Sequence, residues 1–136
     1  MPKLKVVIDT NIFISATLFS GEANRLVSLW QKNYIQLLMS KQVLEEYLRA
    51  LNYPKFGLTE IQIKYITEEV LLPYIFPLIV KRKISIIKND LSDNKFLSLA
   101  LEGKADFIIS GDKHILELKK IENIRIVSLK EFFSFV

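Results

Sequence analysis

The chain contains no cysteine and a single histidine, His114. The first absence excludes a disulfide scaffold and any thiolate metal site. A lone histidine leaves few nitrogen ligands, so any metal held here must be held by oxygen. A membrane-length apolar run is also missing. The most apolar stretch, 70–80, is interrupted by Pro73 and Pro77 and falls short of the roughly 18 residues that a span needs. The first residues carry lysines but no apolar core, and Asp9 interrupts them early, so they do not read as a secretion signal. There is no internal repeat and no low-complexity segment. These absences together read as a cytoplasmic protein with no membrane role.

What is present is enough for a core. Half of the 136 residues are hydrophobic, and a domain of this length buries roughly two thirds of its unfolded surface. Nineteen basic and 15 acidic residues give a formal charge of +4, a mild bias toward a polyanionic partner such as nucleic acid.

Apolar runs of strand length alternate with helical stripes. Strands are expected at Lys5–Ile8, Tyr34–Met39, Lys83–Ile87, Ala105–Ile109 and Ile124–Val127. Helices are expected over Ile12–Phe19 and Ala23–Gln31. Further ones follow Ser40, Thr59 and Ser92, each a good N-cap, and a short one covers Leu129–Phe133. Pro73 ends or kinks the helix begun at Thr59, and Gly103 closes the one begun near Ser92. This alternation predicts an α/β fold: one domain over 1–136, with a parallel sheet of about four to five strands flanked by helices.

Parallel sheets place their sites outside the carboxyl ends of the strands. Asp9 directly follows the first strand, Asp112 follows Ala105–Ile109 after a short turn, and Asp93 sits in the first turn of its helix. Converging carboxylates repel and raise one another's pKa unless a cation intervenes. With oxygen ligands only, Mg²⁺ or Mn²⁺ suits such a cluster better than Zn²⁺. A metal held there accounts for phosphodiester hydrolysis, because it activates water and offsets charge on the phosphate. Each residue also has a plainer role open to it. Asp93 can serve the helix dipole, Asp112 can cap a turn beside Gly111, and Glu45 and Glu46 can be solvated helix residues. His114 reads as a surface or cap residue.

The segments Val6-Val7-Ile8-Asp9-Thr10-Asn11-Ile12, Ser40 through Tyr47 with Glu45-Glu46, Asp93-Asn94-Lys95-Phe96-Leu97, and Ala105 through Asp112 resemble, in order, the motifs of the PIN-domain nucleases. The likeness is greatest to the small VapC-like toxins of toxin–antitoxin systems. The resemblance implies a PIN fold, Mg²⁺ or Mn²⁺, and endoribonuclease activity. It carries the metal and catalytic roles onto Asp9, Glu46, Asp93 and Asp112, and it prefers Glu46 to Glu45 where periodicity does not choose. Asn11 would orient a ligand or water beside Asp9, with Thr10 and Ser110 as supporting hydroxyls. Asp90 is a further acid outside the motif position. The partners expected with this reading are RNA, a cognate antitoxin and a second copy of the chain. Lys95 and Lys113, with Arg25 or Lys41, would hold the RNA backbone. PIN domains also serve in RNA maturation and decay. Two other readings compete: a catalytically silent RNA-binding module of the same fold, and a haloacid-dehalogenase-type phosphatase or receiver domain. The second pair fits less well, because Asn11 stands where such phosphatases need an aspartate and the start of the chain lacks a receiver's acidic pair.

Overall fold

A computed structural model describes residues 3–81 and 91–136, with side chains from residue 94 onward in the second segment. Six strands form one sheet in the order β3-β2-β1-β4-β6-β5. They are β1 (Leu4–Ile8), β2 (Ile35–Met39), β3 (Ile75–Pro77), β4 (Phe107–Ile109), β5 (Lys120–Ile121) and β6 (Ile124–Val127). All neighbouring pairs are parallel except β5 with β6. The expected α/β architecture is present, with more strands than the apolar runs suggested. Two of them are very short: β3 lies in the proline-interrupted segment, and β5 returns to β6 through a tight turn in which Glu122 takes a left-handed φ of 52°. The expected strand at Lys83–Ile87 lies outside the described residues.

The central strands are buried in consecutive positions, as a sheet covered on both faces requires. Val6, Val7 and Ile8 are at most 1% exposed, and Ile108 and Ile109 are fully buried. Helix α5 (Leu91–Gly103) packs across β1, β2 and β4. Its described part begins at Leu91, so Ser92 lies within the helix and is not the cap that the sequence suggested. Gly103 ends α5 against the sheet. A Cβ there would come within 2.6 Å of Leu38 Cδ1 and 2.7 Å of Leu78 Cδ1, so close approach accounts for the glycine. Lys104 then turns the chain toward β4 with a left-handed φ of 51°.

Helix α1 (Thr10–Leu18) begins directly after β1, with Asp9 as its N-cap. The next helical stripe divides into a one-turn 3₁₀ segment (Glu22–Asn24) and α2 (Arg25–Gln31). Helix α3 (Lys41–Leu51) follows β2 directly. Ser40 caps it as expected, its hydroxyl accepting from Val43 N at 3.2 Å. Its apolar stripe, Val43, Tyr47, Ala50 and Leu51, is buried. Thr59 caps α4 (Glu60–Tyr65) through a reciprocal bond pair with Gln62. The helix then widens into a π-turn over Ile66–Leu71, ahead of Pro73. Helix α6 (Lys113–Leu116) is a single turn after β4, and α7 (Leu129–Phe133) closes the fold behind a Ser128–Glu131 capping box. Phe132 of α7 meets Phe107 of β4 edge-on at 5.4 Å.

The π-turn is tied to α2 by one bond: the Trp30 indole N–H donates to the Val70 carbonyl at 3.0 Å, with Trp30 only 1% exposed. Trp30→Phe removes that donor and part of a buried ring. It should therefore lower the unfolding free energy by about 1–3 kcal/mol in urea denaturation. A midpoint equal to that of the wild type would show that this bond does not hold the two helices together.

Candidate active site

The strand order turns at β1. The chain goes outward from β1 to β2 and β3, then returns to the other side of β1 with β4 and β6. The crevice at such a switch point is where open α/β sheets bind ligands. Asp9 leaves β1 there, and the chain leaves β4 beside it through Ser110-Gly111-Asp112. The register pairs Ile8 with Ile109, and Asp9 N donates to Ile109 O at 3.0 Å. Sheet pairing therefore brings together two acids a hundred residues apart.

Asp9 is 4% exposed. Its Oδ1 accepts from Ile12 N at 2.9 Å, and its Oδ2 accepts from the Ser110 hydroxyl and from Gly111 N at 3.2 Å. The buried Ser110 hydroxyl oxygen in turn accepts from Asp112 N at 2.9 Å. Asp112 caps α6 by accepting from His114 N at 2.7 Å, so the plain capping role coexists with a place at the site. Burial pushes the Asp9 carboxyl above its ordinary range. The bonds from Ser110, Ile12 and Gly111 act in the opposite direction, and the charge of Asp112 adds to the rise.

Glu46 reaches the same cleft from α3. Its Oε2 accepts from the Thr10 hydroxyl, and its Oε1 pairs with Lys95 Nζ of α5 at 2.5 Å. Glu45 is exposed and does not line the cleft. The adjoining Tyr47 is fully buried and stacks on Phe13 at 4.1 Å. Its hydroxyl donates to the Ile8 carbonyl, one residue before Asp9. Burial, then the charges of Asp9 and Glu46, push the phenol well above its ordinary range, so it remains a neutral donor.

The cleft holds about 360 Å³, with Asp9, Thr10, Asn11, Glu46 and Asp112 on its lining. Asp93 lies in the first turn of α5, and its side chain is outside the described residues, as is Asp90. Asn11 is exposed on the cleft, whereas Lys113, exposed at the start of α6, is not part of its lining. Lys95 is engaged with Glu46. Arg25 lies over the Phe133 ring at 4.1 Å, and Lys41 is exposed outside the lining. The cleft instead presents Arg49, Tyr53, Lys55 and Phe56, which sequence reasoning passed over. A signal was available for part of this wall: Glu46, Arg49, Ala50 and Tyr53 follow one another at helical spacing along the end of α3.

The donor set suits a hard cation. Every acid on the cleft offers oxygen, and Asp9 is a buried carboxylate with a second negative charge beside it. Such a site gains from added positive charge. Among the described residues, no three acidic or imidazole side chains are drawn together tightly enough to form a closed metal cage.

Asp9, Glu46 and Asp112 thus share one cleft at the switch point of a mostly parallel sheet. Comparison with known proteins gives the family. Residues 5–114 match the PIN-domain model, and the chain belongs to the PIN-domain family. This membership replaces the phosphatase and receiver readings. The chain is 34% identical to the uncharacterized protein MJ1680 of Methanocaldococcus jannaschii, across 97% of its own length and 91% of that protein. Its fold is similar to a chain in the structure of VapBC2 from Rickettsia felis bound to a promoter DNA fragment, with a TM-score of 0.58, 16% identity, and 92% and 98% of the two chains covered. It is also similar to the PIN-domain endonuclease Utp24, with a TM-score of 0.53, 19% identity, and 91% and 84% covered.

Two predictions follow from the anchoring of Asp9. An ordinary aspartate releases its proton near pH 4. Between that pH and the raised pKa of Asp9, the folded chain keeps a proton that the unfolded chain has lost, so stability declines as pH rises through this window. In the presence of chelator, the melting temperature of the wild type should fall relative to Asp9→Asn over that window and then level off. A constant difference, or one that moves the other way, would contradict the burial assigned to Asp9. Tyr47→Phe removes the donor to the Ile8 carbonyl in a buried setting. It should cost about 1–3 kcal/mol of stability by denaturant titration; an unchanged value would mean that the bond is dispensable.

Proposed function

We propose that this PIN-domain protein is a Mg²⁺- or Mn²⁺-dependent endoribonuclease in which Asp9, Glu46, Asp93 and Asp112 hold the metal. The observation that carries the reading is the cleft shared by Asp9, Glu46 and Asp112 at the switch point of the sheet. A bound divalent cation supplies Lewis acidity, both to activate water and to offset charge on the scissile phosphate.

The chain's own residues prepare that chemistry. Ser110, Gly111 and Ile12 fix both oxygens of Asp9, which limits the reorganisation needed when a cation arrives. Thr10 orients Glu46, and Lys95 balances its charge. Asn11 faces the cleft beside Asp9 and can orient water or substrate. Arg49 and Lys55 place positive charge on the same cleft, where a phosphate backbone would otherwise meet only acids. Within this activity we assign the chain to the toxin role, with a cognate antitoxin and a second copy of itself as partners. The similarity to a VapBC2 chain over nearly the whole of both chains supports this assignment. The similarity to the PIN-domain endonuclease Utp24 supports endonuclease chemistry on the same fold. No helix among the described residues is long and apolar enough to cross a membrane, in keeping with action in the cytoplasm.

The test is cleavage of a panel of RNAs with Mg²⁺, Mn²⁺ or EDTA. Unpaired RNA should be cut with either metal and spared in EDTA, and a perfect duplex of the same sequence should be spared throughout. Asp9→Asn should abolish cutting. Glu46→Gln should cost at least tenfold more activity than Glu45→Gln, because only Glu46 lines the cleft. Cutting that survives EDTA or Asp9→Asn would refute the metal site, and a folded protein that binds RNA without cutting it would favour the silent module. If the toxin role holds, expression of the wild type should arrest growth while Asp9→Asn does not. An active nuclease that leaves growth unaffected would point instead to RNA processing.

A further inference from the structure

Beside its acids the cleft has a stretch of wall with a different chemistry, of which the hydrolytic reading uses only the two cations. Arg49, Tyr53, Lys55 and Phe56 form this wall at the end of α3. The Tyr53 and Phe56 rings lie nearly parallel, 17° apart, with centroids separated by 6.4 Å. Lys55 Nζ lies 5.2 Å from the Phe56 ring centroid. Phe56 is therefore backed by a cation and half-buried, whereas Tyr53 is 46% exposed.

The turn that carries these rings is fixed by its own backbone. Tyr53 N donates to Ala50 O at 3.1 Å, Phe56 N to Tyr53 O at 3.1 Å, and Gly57 N to Pro54 O at 3.0 Å. Pro54 restricts φ at the start, and Gly57 takes a left-handed φ of 58° at the end. An aromatic held on a rigid turn loses little entropy when a ligand stacks on it. An exposed ring on a cleft that also carries two cations and several acids has the chemistry of a single-strand platform: aromatics take bases and cations take the backbone.

We propose that Tyr53, backed by Phe56, is a nucleobase-stacking subsite for an unpaired nucleotide next to the scissile phosphate, with Arg49 and Lys55 holding the adjoining backbone. The proposal rests on the ribonuclease reading for the identity of the strand and goes beyond it in naming what selects an unpaired one. A base must leave its helix to reach the ring, so the subsite favours loops and linkers over duplex without reading sequence. Arg49 and Lys55 take over the backbone role that the sequence suggested for Lys95 and Lys113.

The test uses short single-stranded oligoribonucleotides carrying 2-aminopurine at each position in turn, mixed with the full-length Asp9→Asn protein so that binding is read without cutting. One position should show fluorescence quenching on binding. Adding Tyr53→Ala should remove the quenching and weaken binding about tenfold or more, while Tyr53→Trp should retain both. Arg49→Ala and Lys55→Ala should reduce the salt dependence of binding and leave the quenching in place. Circular dichroism of each variant verifies folding. Binding and quenching unchanged in Tyr53→Ala would overturn the proposal and leave the aromatic wall to a protein partner. Absence of RNA binding by the Tyr53-intact protein would overturn it too. Cleavage by the wild type, measured on the same oligonucleotides, reports separately on the nuclease: Tyr53-dependent quenching without cleavage would keep the subsite and remove the ribonuclease reading.

Discussion

A carboxylate buried at the end of a strand is costly unless its oxygens are satisfied, and the arrangement around Asp9 answers to that constraint. The first turn of α1 supplies one donor and the loop after β4 supplies two. Those donors reach Asp9 only if β1 and β4 are adjacent, parallel and in the observed register. Tyr47 reinforces the same point from α3 by holding the Ile8 carbonyl. The residue that gains most from a cation is thus also the one on which strand pairing, helix capping and the packing of α3 converge.

The charge layout follows from this placement. Asp9 and Asp112 come from adjoining strand ends, and Glu46 comes from a helix that packs against α1 and α5. Glu46 is matched by Lys95, whereas among the described residues the partners of Asp9 are uncharged hydrogen-bond donors. Arg49 and Lys55 add positive charge to the lining of the same cleft. A polyanion in the cleft would meet cations and aromatic surface as well as acids. The net basic charge of the chain fits such a partner.

Much of this was legible in the sequence because it depends on local pattern. The apolar runs before Asp9 and Asp112 mark buried parallel strands, and Ser40 marks the start of α3. Short elements that depend on tertiary pairing were not legible. β3 occupies a segment where Pro73 and Pro77 hide strand character, and β5 needs Glu122, a residue type that does not favour it, in a left-handed conformation. Ser92, which reads as a cap, lies inside α5. Which cations line the cleft was not legible from nearness in sequence to the motifs. Lys95 and Lys113 adjoin the motifs, yet one pairs with Glu46 and the other lies outside the cleft lining. Arg49 and Lys55 reach the cleft because the pitch of α3 and the turn after it carry them there.

The account stands or falls on whether the crevice at the end of β1 takes up a divalent cation. Anomalous diffraction from crystals soaked in Mn²⁺ locates the ion directly. The predicted result is a peak bonded to Asp9 and at least one further acid of the set Glu46, Asp93 and Asp112, absent from Asp9→Asn crystals treated in the same way. Crystals with no peak at Asp9 under saturating Mn²⁺, or with manganese only at acids remote from the cleft such as Asp106 or Glu122, would contradict it.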